Sequence, residues 1–251
     1  MILAIDAGNS RVKWGWHHGT GWASIATVSL IEFAASSDHI NPFSVTHEDP
    51  ARIVIANVAG EGARELLVNC TSIFDATPLW LKAEAECCGV KNRYEHPETL
   101  GPDRWAALIA ARAAHAGPCL VVNAGTATTV DMLSGDGTFL GGAILPGVEL
   151  MRFVLHEHTG RLPIQQGVVR EAPRNTLDAI ETGCRHAQAG AVERIYRGFS
   201  ATAGAPLCIV AGGAGRELVE QLSAAIPRRY TENLVLDGLA RIAQAEITAI
   251  R

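Results

Sequence analysis

The chain has 251 residues, of which 48% are hydrophobic and 19% are charged, and its formal net charge is -5. This balance predicts a folded globular protein and excludes a disordered one, and the lack of a basic excess argues against nucleic-acid binding. The opening residues lack the features of a signal peptide, and no run of about 18 apolar residues predicts a membrane span. We therefore expect a cytoplasmic protein, and its six scattered cysteines predict free thiols.

Short apolar runs alternate with longer amphipathic stretches, which is typical of an α/β protein. The first part of the chain predicts an antiparallel meander of three strands, then two further strands with a helix between them. A helix follows, with a proline in its first turn and a glycine at its end. These strands are predicted at residues 2–5, 11–16, 22–28, 52–58 and 78–82, and the last helix at 102–117.

The chain then repeats its opening design of apolar strand, small polar turn with glycine, and second strand. A third strand, a mostly helical region, a strand that turns through glycines into a helix, and a terminal helix come after it. These elements are predicted at residues 119–133, 138–147, 148–200, 206–222 and 234–250. The repetition predicts two similar α/β halves, residues 1–117 and 118–251.

Two glycine turns follow the first strands of these halves. In the first, Asp6 ends a buried strand before the chain bends through Gly8. Backbone amides at such a bend can receive a phosphate, and a carboxylate at a strand end can hold Mg²⁺ through water. The second turn, 125–129, offers hydroxyl groups instead, and Asp131 follows it. Each turn alone is also consistent with an ordinary hairpin, but two of them could hold a polyphosphate from both sides of a cleft.

The third glycine segment, 211–218, could admit a nucleotide base close to the backbone or could serve only strand–helix packing. It does not match the GxGxxG pattern after a first strand, which counts against a dinucleotide-binding fold.

A Gly-Pro-Asp-Arg segment lies where a loop enters the helix at 102. Asp103 could cap that helix. It could also accept the proton of a substrate hydroxyl as the hydroxyl attacks the γ-phosphorus of ATP, while Arg104 binds the substrate or the developing charge. Tyr94 could line the same pocket, although a single tyrosine usually serves packing.

With these residues, the sequence resembles the type III pantothenate kinases, members of the acetate and sugar kinase, heat-shock chaperone and actin superfamily. The resemblance covers nearly the whole chain. It rests on motifs that occur in family order: AIDAGNSRVKWG, RYEHPETLGPDR, NAGTATTVD, GGAILPG, APRNTLDAIETG and VAGGAG.

The resemblance implies an α/β fold of two ribonuclease-H-like (actin-like ATPase) domains with mixed sheets and a cleft between them. It implies ATP and pantothenate as substrates, with Asp103 as the proton acceptor and Mg²⁺ near Asp6, and a homodimer that completes the substrate pocket. ATP would contact Thr126 and the first loop, which comprises Asp6, Ala7, Gly8, Asn9, Ser10, Arg11, Val12 and Lys13. Pantothenate would contact Tyr94, Gly101, Pro102, Asp103, Arg104 and Thr176.

The chain departs from the family pattern at Asn123, where relatives often carry an aspartate that coordinates K⁺ or NH₄⁺. An amide removes the charge that would hold a monovalent cation, although its oxygen could still ligate. We therefore expect no strict K⁺ requirement.

Two alternatives stay open at the level of the sequence. The loops specify phosphoryl transfer better than they specify the acceptor, so a kinase of another small hydroxylated metabolite is one of them. A regulatory ATP-binding protein without turnover is the other, and the presence of Asp6, Asp103 and Arg104 argues against it.

Overall fold

The computed structural model describes residues 1–37, 41–43, 49–160 and 162–249. These residues form two compact units. Unit 1 comprises residues 1–114 and the C-terminal segment that starts at Asn233, and unit 2 comprises His115–Glu232. No helix within the described residues is both long and apolar enough to cross a bilayer.

Unit 1 is built on a five-stranded mixed sheet with the order β3-β2-β1-β4-β5. The first three strands form the predicted antiparallel meander, and β4 and β5 add to it in parallel. Strand β1 is buried along almost its whole length, because its apolar side chains pack on both faces of the sheet. The strands are β1 (Ile2–Ala7), β2 (Arg11–His17), β3 (Trp22–Ser29), β4 (Arg52–Asn57) and β5 (Pro78–Trp80).

Unit 1 contains an aromatic core in which Trp14 packs edge-on against Phe33 and Phe43. The predicted helix at 102–117 is confirmed with Pro102 as its first residue, but it ends at Ala114, three residues before the predicted end. A short first helix and a small hairpin were not predicted. The elements are α1 (Leu30–Ser37), α2 (Glu61–Thr71), the hairpin strands β6 (Glu86–Cys87) and β7 (Val90–Asn92), a 3₁₀ turn (Pro97–Thr99), α3 (Pro102–Ala114) and α7 (Leu234–Ala249).

Unit 2 has the same topology as the main sheet of unit 1. Three antiparallel strands in the order β10-β9-β8 continue into two parallel strands, β11 and β12. This identity of order and direction confirms that the chain repeats its design. The elements are β8 (Cys119–Ala124), β9 (Ala127–Leu133), β10 (Thr138–Pro146), α4 (Val148–His158), α5 (Thr176–Ala203), β11 (Leu207–Ala211), α6 (Gly215–Gln221) and β12 (Arg228–Tyr230).

The predicted division into 1–117 and 118–251 is wrong for the C-terminal helix, which belongs to unit 1. Helix α7 packs against α3 and β1, and it buries apolar side chains such as Leu239 there. The Trp22 indole Nε1 donates to Asp237 Oδ1 at 2.8 Å, and Gln244 Nε2 donates to the Gly19 carbonyl at 2.9 Å. The division itself falls after Ala114 rather than after residue 117.

Gly238 allows α7 to approach α3 closely, because a Cβ at this position would overlap the carbonyl oxygen of Ala106. We expect Gly238→Ala to destabilise the protein by about 1–3 kcal/mol, since backbone atoms must move apart. Gly190→Ala is the control, because the exposed Gly190 on α5 has open space around it and alanine there should be neutral or stabilising by up to about 1 kcal/mol. Urea unfolding of both variants measures the difference, and equal midpoints would contradict the packing argument.

Candidate active site

The first glycine turn joins β1 to β2, and the Gly8 amide closes it by donating to the Arg11 carbonyl at 2.9 Å. Asn9, Ser10 and Arg11 are exposed at its tip. By contrast, the side chains of Ala7 and Val12 are fully buried in the core. These two residues could therefore contact a phosphate only through their backbone.

Asp6 and Lys13 face each other as register partners at the base of this turn. Burial and, to a smaller extent, the nearby Asp103 carboxylate raise the pKa of Asp6 to about 7, although Lys13 opposes the shift. Two carboxylates that repel each other in this way leave negative charge that one lysine does not cancel. A divalent cation would neutralise that charge, so the donor set fits Mg²⁺ near Asp6.

Asp103 lies in the first turn of α3, and its side chain lies close to Gly101, two residues earlier. A Cβ on Gly101 would lie 2.7 Å from Asp103 Oδ1, so a larger residue there would push this carboxylate out of its present position. Burial raises the pKa of Asp103, and the backbone N–H and charge of Arg104 partly oppose that shift. A half-buried carboxylate with a raised pKa is suited to accept a proton.

Arg104 is 5% exposed, and its Nη1 donates to the Tyr94 hydroxyl at 2.9 Å. The guanidinium carbon lies 5.6 Å from the centre of the Tyr94 ring. Asn92 fixes the backbone that carries Tyr94: its Oδ1 accepts from the Tyr94 amide at 3.0 Å, and its Nδ2 donates to the Pro97 carbonyl at 3.0 Å. The predicted acceptor residues 94 and 101–104 are thus assembled with Asp6 in unit 1.

The second glycine turn joins β8 to β9 in unit 2 and closes in the same way, with the Gly125 amide donating to the Ala127 carbonyl at 3.0 Å. Thr126 is exposed at its tip. Its carbonyl accepts from the Gly147 amide at 2.9 Å, and a Cβ on Gly147 would overlap the Gly125 carbonyl oxygen. Gly147 therefore lets the start of α4 support this turn.

Asn123 ends β8 beside the third glycine segment. Gly212 has a φ of 91°, and a Cβ there would overlap the Ala124 carbonyl oxygen and lie 2.6 Å from Asn123 Oδ1. The Ala214 amide donates to the Ala124 carbonyl at 3.0 Å. The glycines of this segment thus pack it closely against the second turn, which is the packing role that the sequence left open.

Thr176 is exposed at the first position of α5, in unit 2. Asn175 caps the helix by accepting from the Asp178 amide at 2.9 Å, and Asp178 Oδ1 accepts from the Val168 amide at 2.8 Å. The loop before α5 is therefore held against the first turns of the helix. Thr176, Thr126 and Asn123 lie in a different unit from the acceptor residues, so the structure does not assemble all predicted residues within one unit.

Unit 2 also contains a buried ionic network that the sequence analysis missed. Glu181 is 1% exposed and accepts from Arg152 Nη1 at 2.8 Å and from Arg185 Nε at 2.6 Å. Arg152 lines a cavity of about 300 Å³ together with Thr126, Glu149, Leu150, Phe153 and Ile164. Only the spacing of Glu181 and Arg185, one helical turn apart, could have indicated part of this network. Removing Glu181 would leave Arg152 and Arg185 with only their exposed acidic partners, Glu149 and Glu217. Glu181 is therefore the buried charge that joins the two arginines.

The sequence also did not predict a buried hydrogen bond between α5 and the start of β9, next to the second turn. Gln188 Nε2 on α5 donates to Thr128 Oγ1 on β9 at 2.7 Å, and both residues are at most 2% exposed. This bond ties the long helix to the strand that begins at the turn. No local pattern reveals it, because the two residues are 60 positions apart.

Solved structures place this doubled topology in a known class. The chain superimposes on the activator of the 2-hydroxyisocaproyl-CoA dehydratase from Clostridium difficile with bound ADPNP, with a TM-score of 0.56 and 10% identity over 99% of this chain and 97% of that one. It also superimposes on MreB 5 of Spiroplasma citri bound to AMPPNP, with a TM-score of 0.51 and 11% identity over 99% and 97%. The protein therefore has the actin-like ATPase fold, as expected.

Sequence relatives define the family within this class. The family model for type III pantothenate kinase matches residues 2–198. A type III pantothenate kinase from Aromatoleum aromaticum is 47% identical over 99% of this chain and 100% of its own length. Another from Nitrosospira multiformis is 42% identical over 97% of this chain and 91% of its own length. The chain belongs to the type III pantothenate kinase family.

Proposed function

We propose that this protein transfers the γ-phosphoryl group of ATP to the 4′-hydroxyl of pantothenate. The products are ADP and 4′-phosphopantothenate, and the reaction is the first step of coenzyme A biosynthesis. The observation that carries the proposal is the half-buried Asp103 carboxylate, which has a raised pKa and lies over Gly101. Membership of the family identifies the acceptor.

In this mechanism Asp103 accepts the hydroxyl proton as the oxygen attacks the γ-phosphorus. Arg104 binds the acceptor or the charge that develops on it, and the Tyr94 hydroxyl keeps the guanidinium in place. Phosphoryl transfer depends mainly on how the reacting groups are positioned and on electrostatic stabilisation. Asn92, which holds the Tyr94 backbone, and Gly101, which lies against Asp103, therefore contribute to the rate.

The two turns provide the contacts to ATP. The backbone amides of the exposed residues Asn9 to Arg11 and the Lys13 ammonium would bind its phosphates in unit 1. The amide and hydroxyl of the exposed Thr126 would do so in unit 2. When bound, Mg²⁺ neutralises the phosphate charge, and Asp6 would hold it through water. A cation bound there would also offset the repulsion between the Asp6 and Asp103 carboxylates, which favours Mg²⁺ binding near Asp6.

A monovalent cation is not required in this proposal, because Asn123 is neutral. The Oδ1 atom of Asn123 lies beside Gly212, and an amide oxygen alone is a weak ligand for K⁺ or NH₄⁺. We expect turnover to persist when K⁺ is replaced by Na⁺.

A homodimer and a cytoplasmic location complete the proposal. Unit 2 exposes large apolar side chains on β10, α4 and the following loop, a composition that suits contact with a second copy: Leu140, Ile144, Phe153, Val154, Ile164 and Val168. All six cysteines are thiols, which agrees with a reducing compartment. Light scattering on the wild type and on Ile144→Asp tests the dimer, which the variant should weaken.

An assay of ADP release with ATP, Mg²⁺ and pantothenate tests the proposed reaction, run once with K⁺ and once with only Na⁺. Pantothenate-dependent release in both salts supports the reaction and the role of Asn123. Release only with other hydroxylated acceptors would identify a different metabolite kinase. ATP binding without release for any acceptor would instead favour a regulatory protein.

Tyr94→Phe tests the acceptor pocket. Loss of the bond to the buried Arg104 guanidinium should raise the KM for pantothenate by about tenfold and change kcat by less than about threefold, because the arginine loses its orientation. Tyr196→Phe on α5 is the matched control and should leave both constants unchanged. An unchanged KM in Tyr94→Phe would remove Tyr94 from the pocket.

A further inference from the structure

The hairpin that precedes the acceptor residues has an unusual turn. Cys87 pairs with Val90, so Cys88 and Gly89 form a two-residue turn between β6 and β7. Both turn residues have positive φ, 51° for Cys88 and 79° for Gly89. Cys88 is the one non-glycine residue with positive φ in the part of the chain that the structure describes. Such turns favour asparagine followed by glycine, so cysteine is a strained choice here.

This conformation brings two neighbouring thiols together at an accessible place. The Cys87 and Cys88 sulfur atoms lie 3.4 Å apart, and both residues are half-buried. The other four cysteines, Cys70, Cys119, Cys184 and Cys208, are buried. Burial raises the pKa of the Cys208 thiol to about 12, which suppresses its reactive thiolate. Cys87 and Cys88 are therefore the thiols that an oxidant in solution can reach most easily.

We propose that Cys87 and Cys88 form a reversible oxidation site, in which a disulfide between them weakens acceptor use. With hydrogen peroxide as the oxidant, one thiolate attacks a peroxide oxygen, the O–O bond breaks, and a sulfenic acid and water form. The second thiol then attacks the sulfenic sulfur, the S–S bond forms, the S–O bond breaks, and a second water leaves. The two sulfur atoms lose two electrons in total, and the peroxide gains them.

The expected disulfide is easily reduced, which suits a reversible site. Neighbouring Cα atoms are about 3.8 Å apart across a trans peptide, whereas most disulfides join Cα atoms about 4.4–6.8 Å apart. The ring that closes over residues 87 and 88 is therefore strained, and strained exposed disulfides are the labile ones. The turn must also change its conformation when the ring closes.

A change in this turn reaches the acceptor residues through Asn92. The Asn92 amide donates to the Ala85 carbonyl at 2.8 Å, so Asn92 closes the base of the hairpin. Its side chain holds the Tyr94 amide and the Pro97 carbonyl, and Tyr94 in turn holds Arg104. The effect on acceptor use rests on the function proposed above, whereas the oxidation itself does not.

The test compares the wild type with Cys88→Asn and Cys87→Ser. Cys88→Asn is the sharper variant, because asparagine is favoured at this turn position and keeps the hairpin while it removes one thiol. After limited treatment with hydrogen peroxide, the wild-type peptide that contains both residues should lose about 2 Da, with recovery in dithiothreitol. The kcat/KM for pantothenate should fall at least about threefold in oxidised wild type and stay unchanged in treated Cys88→Asn.

Three results would overturn the proposal: a mass gain from sulfinic acid without the 2 Da loss that marks a disulfide, first reaction at the buried cysteines, or a disulfide that leaves kcat/KM unchanged. The mass measurement does not depend on turnover. If reduced wild type does not phosphorylate pantothenate, the proposed function fails, and the mass result still decides whether the two thiols form the oxidation site.

Discussion

Asp103→Asn should lower the kcat for pantothenate phosphorylation by about 10²–10⁴-fold, which is the usual contribution of a general base. The amide fills the same space over Gly101 and cannot accept the proton. The KM values for ATP and pantothenate should stay within about threefold of the wild type, because the change removes an interaction that develops in the transition state. Steady-state ADP release measures all three constants.

Asp75→Asn is the matched control, because Asp75 is an exposed aspartate in the same unit. Its constants should equal those of the wild type. Burial raises the pKa of Asp103, so wild-type kcat/KM should fall as the pH drops through that raised pKa, where the base becomes protonated. Near-normal turnover of Asp103→Asn would remove the assignment of Asp103 as the base.

Asp6→Asn should lower turnover at fixed Mg²⁺ by about 10–100-fold, the range seen when an outer-shell partner of a metal is lost. The Mg²⁺ concentration that gives half-maximal rate should rise. The Asp103 carboxylate is one of the causes that raise the pKa of Asp6, so the neutral amide also removes the repulsion between these two side chains. A titration of rate against Mg²⁺ measures the effect, with Asp75→Asn as the control.

A stability measurement on metal-free protein provides a second readout for Asp6. The pKa of Asp6 is about 7 in the folded protein against an ordinary value of 3.8. A raised folded pKa means that the stabilising contribution is complete below pH 3.8 and is lost as the pH rises through about 7. At pH 8, Asp6→Asn should therefore unfold at a higher temperature than the wild type, and the gap should close towards pH 4. Unchanged Mg²⁺ dependence and unchanged melting would both contradict the role of Asp6.

The strands and turns were predictable because their signals are local. Alternation and glycine turns within ten to fifteen residues specified the meander at β1 to β3 and its repeat at β8 to β10. The candidate residue Asp6 followed from the first of these turns, and Asp103 followed from the Gly-Pro-Asp-Arg segment at the start of a helix and from the family motifs. The structure adds their electrostatic coupling, which connects positions almost a hundred residues apart.

The features that could not be predicted depend on the folded structure, chiefly on contacts between residues that are distant in the sequence. The sequence predicted a terminal helix at residues 234–250, but it could not show that this helix packs on α3 rather than on unit 2. Asn92 and Gln188 are buried polar residues whose hydrogen bonds satisfy them only after folding. The sequence predicted only reduced thiols for Cys87 and Cys88, because the left-handed conformation of Cys88 is visible only in the folded backbone.

The return of α7 to unit 1 has a consequence for synthesis on the ribosome. Unit 2 is continuous in sequence, whereas the core of unit 1 needs Leu239 and its neighbours from the very end of the chain. At about 5–20 residues per second, the stretch between Ala114 and Asn233 takes roughly 6–24 s to make. During that time β1 and α3 expose the apolar surface that α7 later covers. The nascent chain should therefore engage chaperones through its N-terminal part, and a stop codon before residue 233 should leave that part unable to fold.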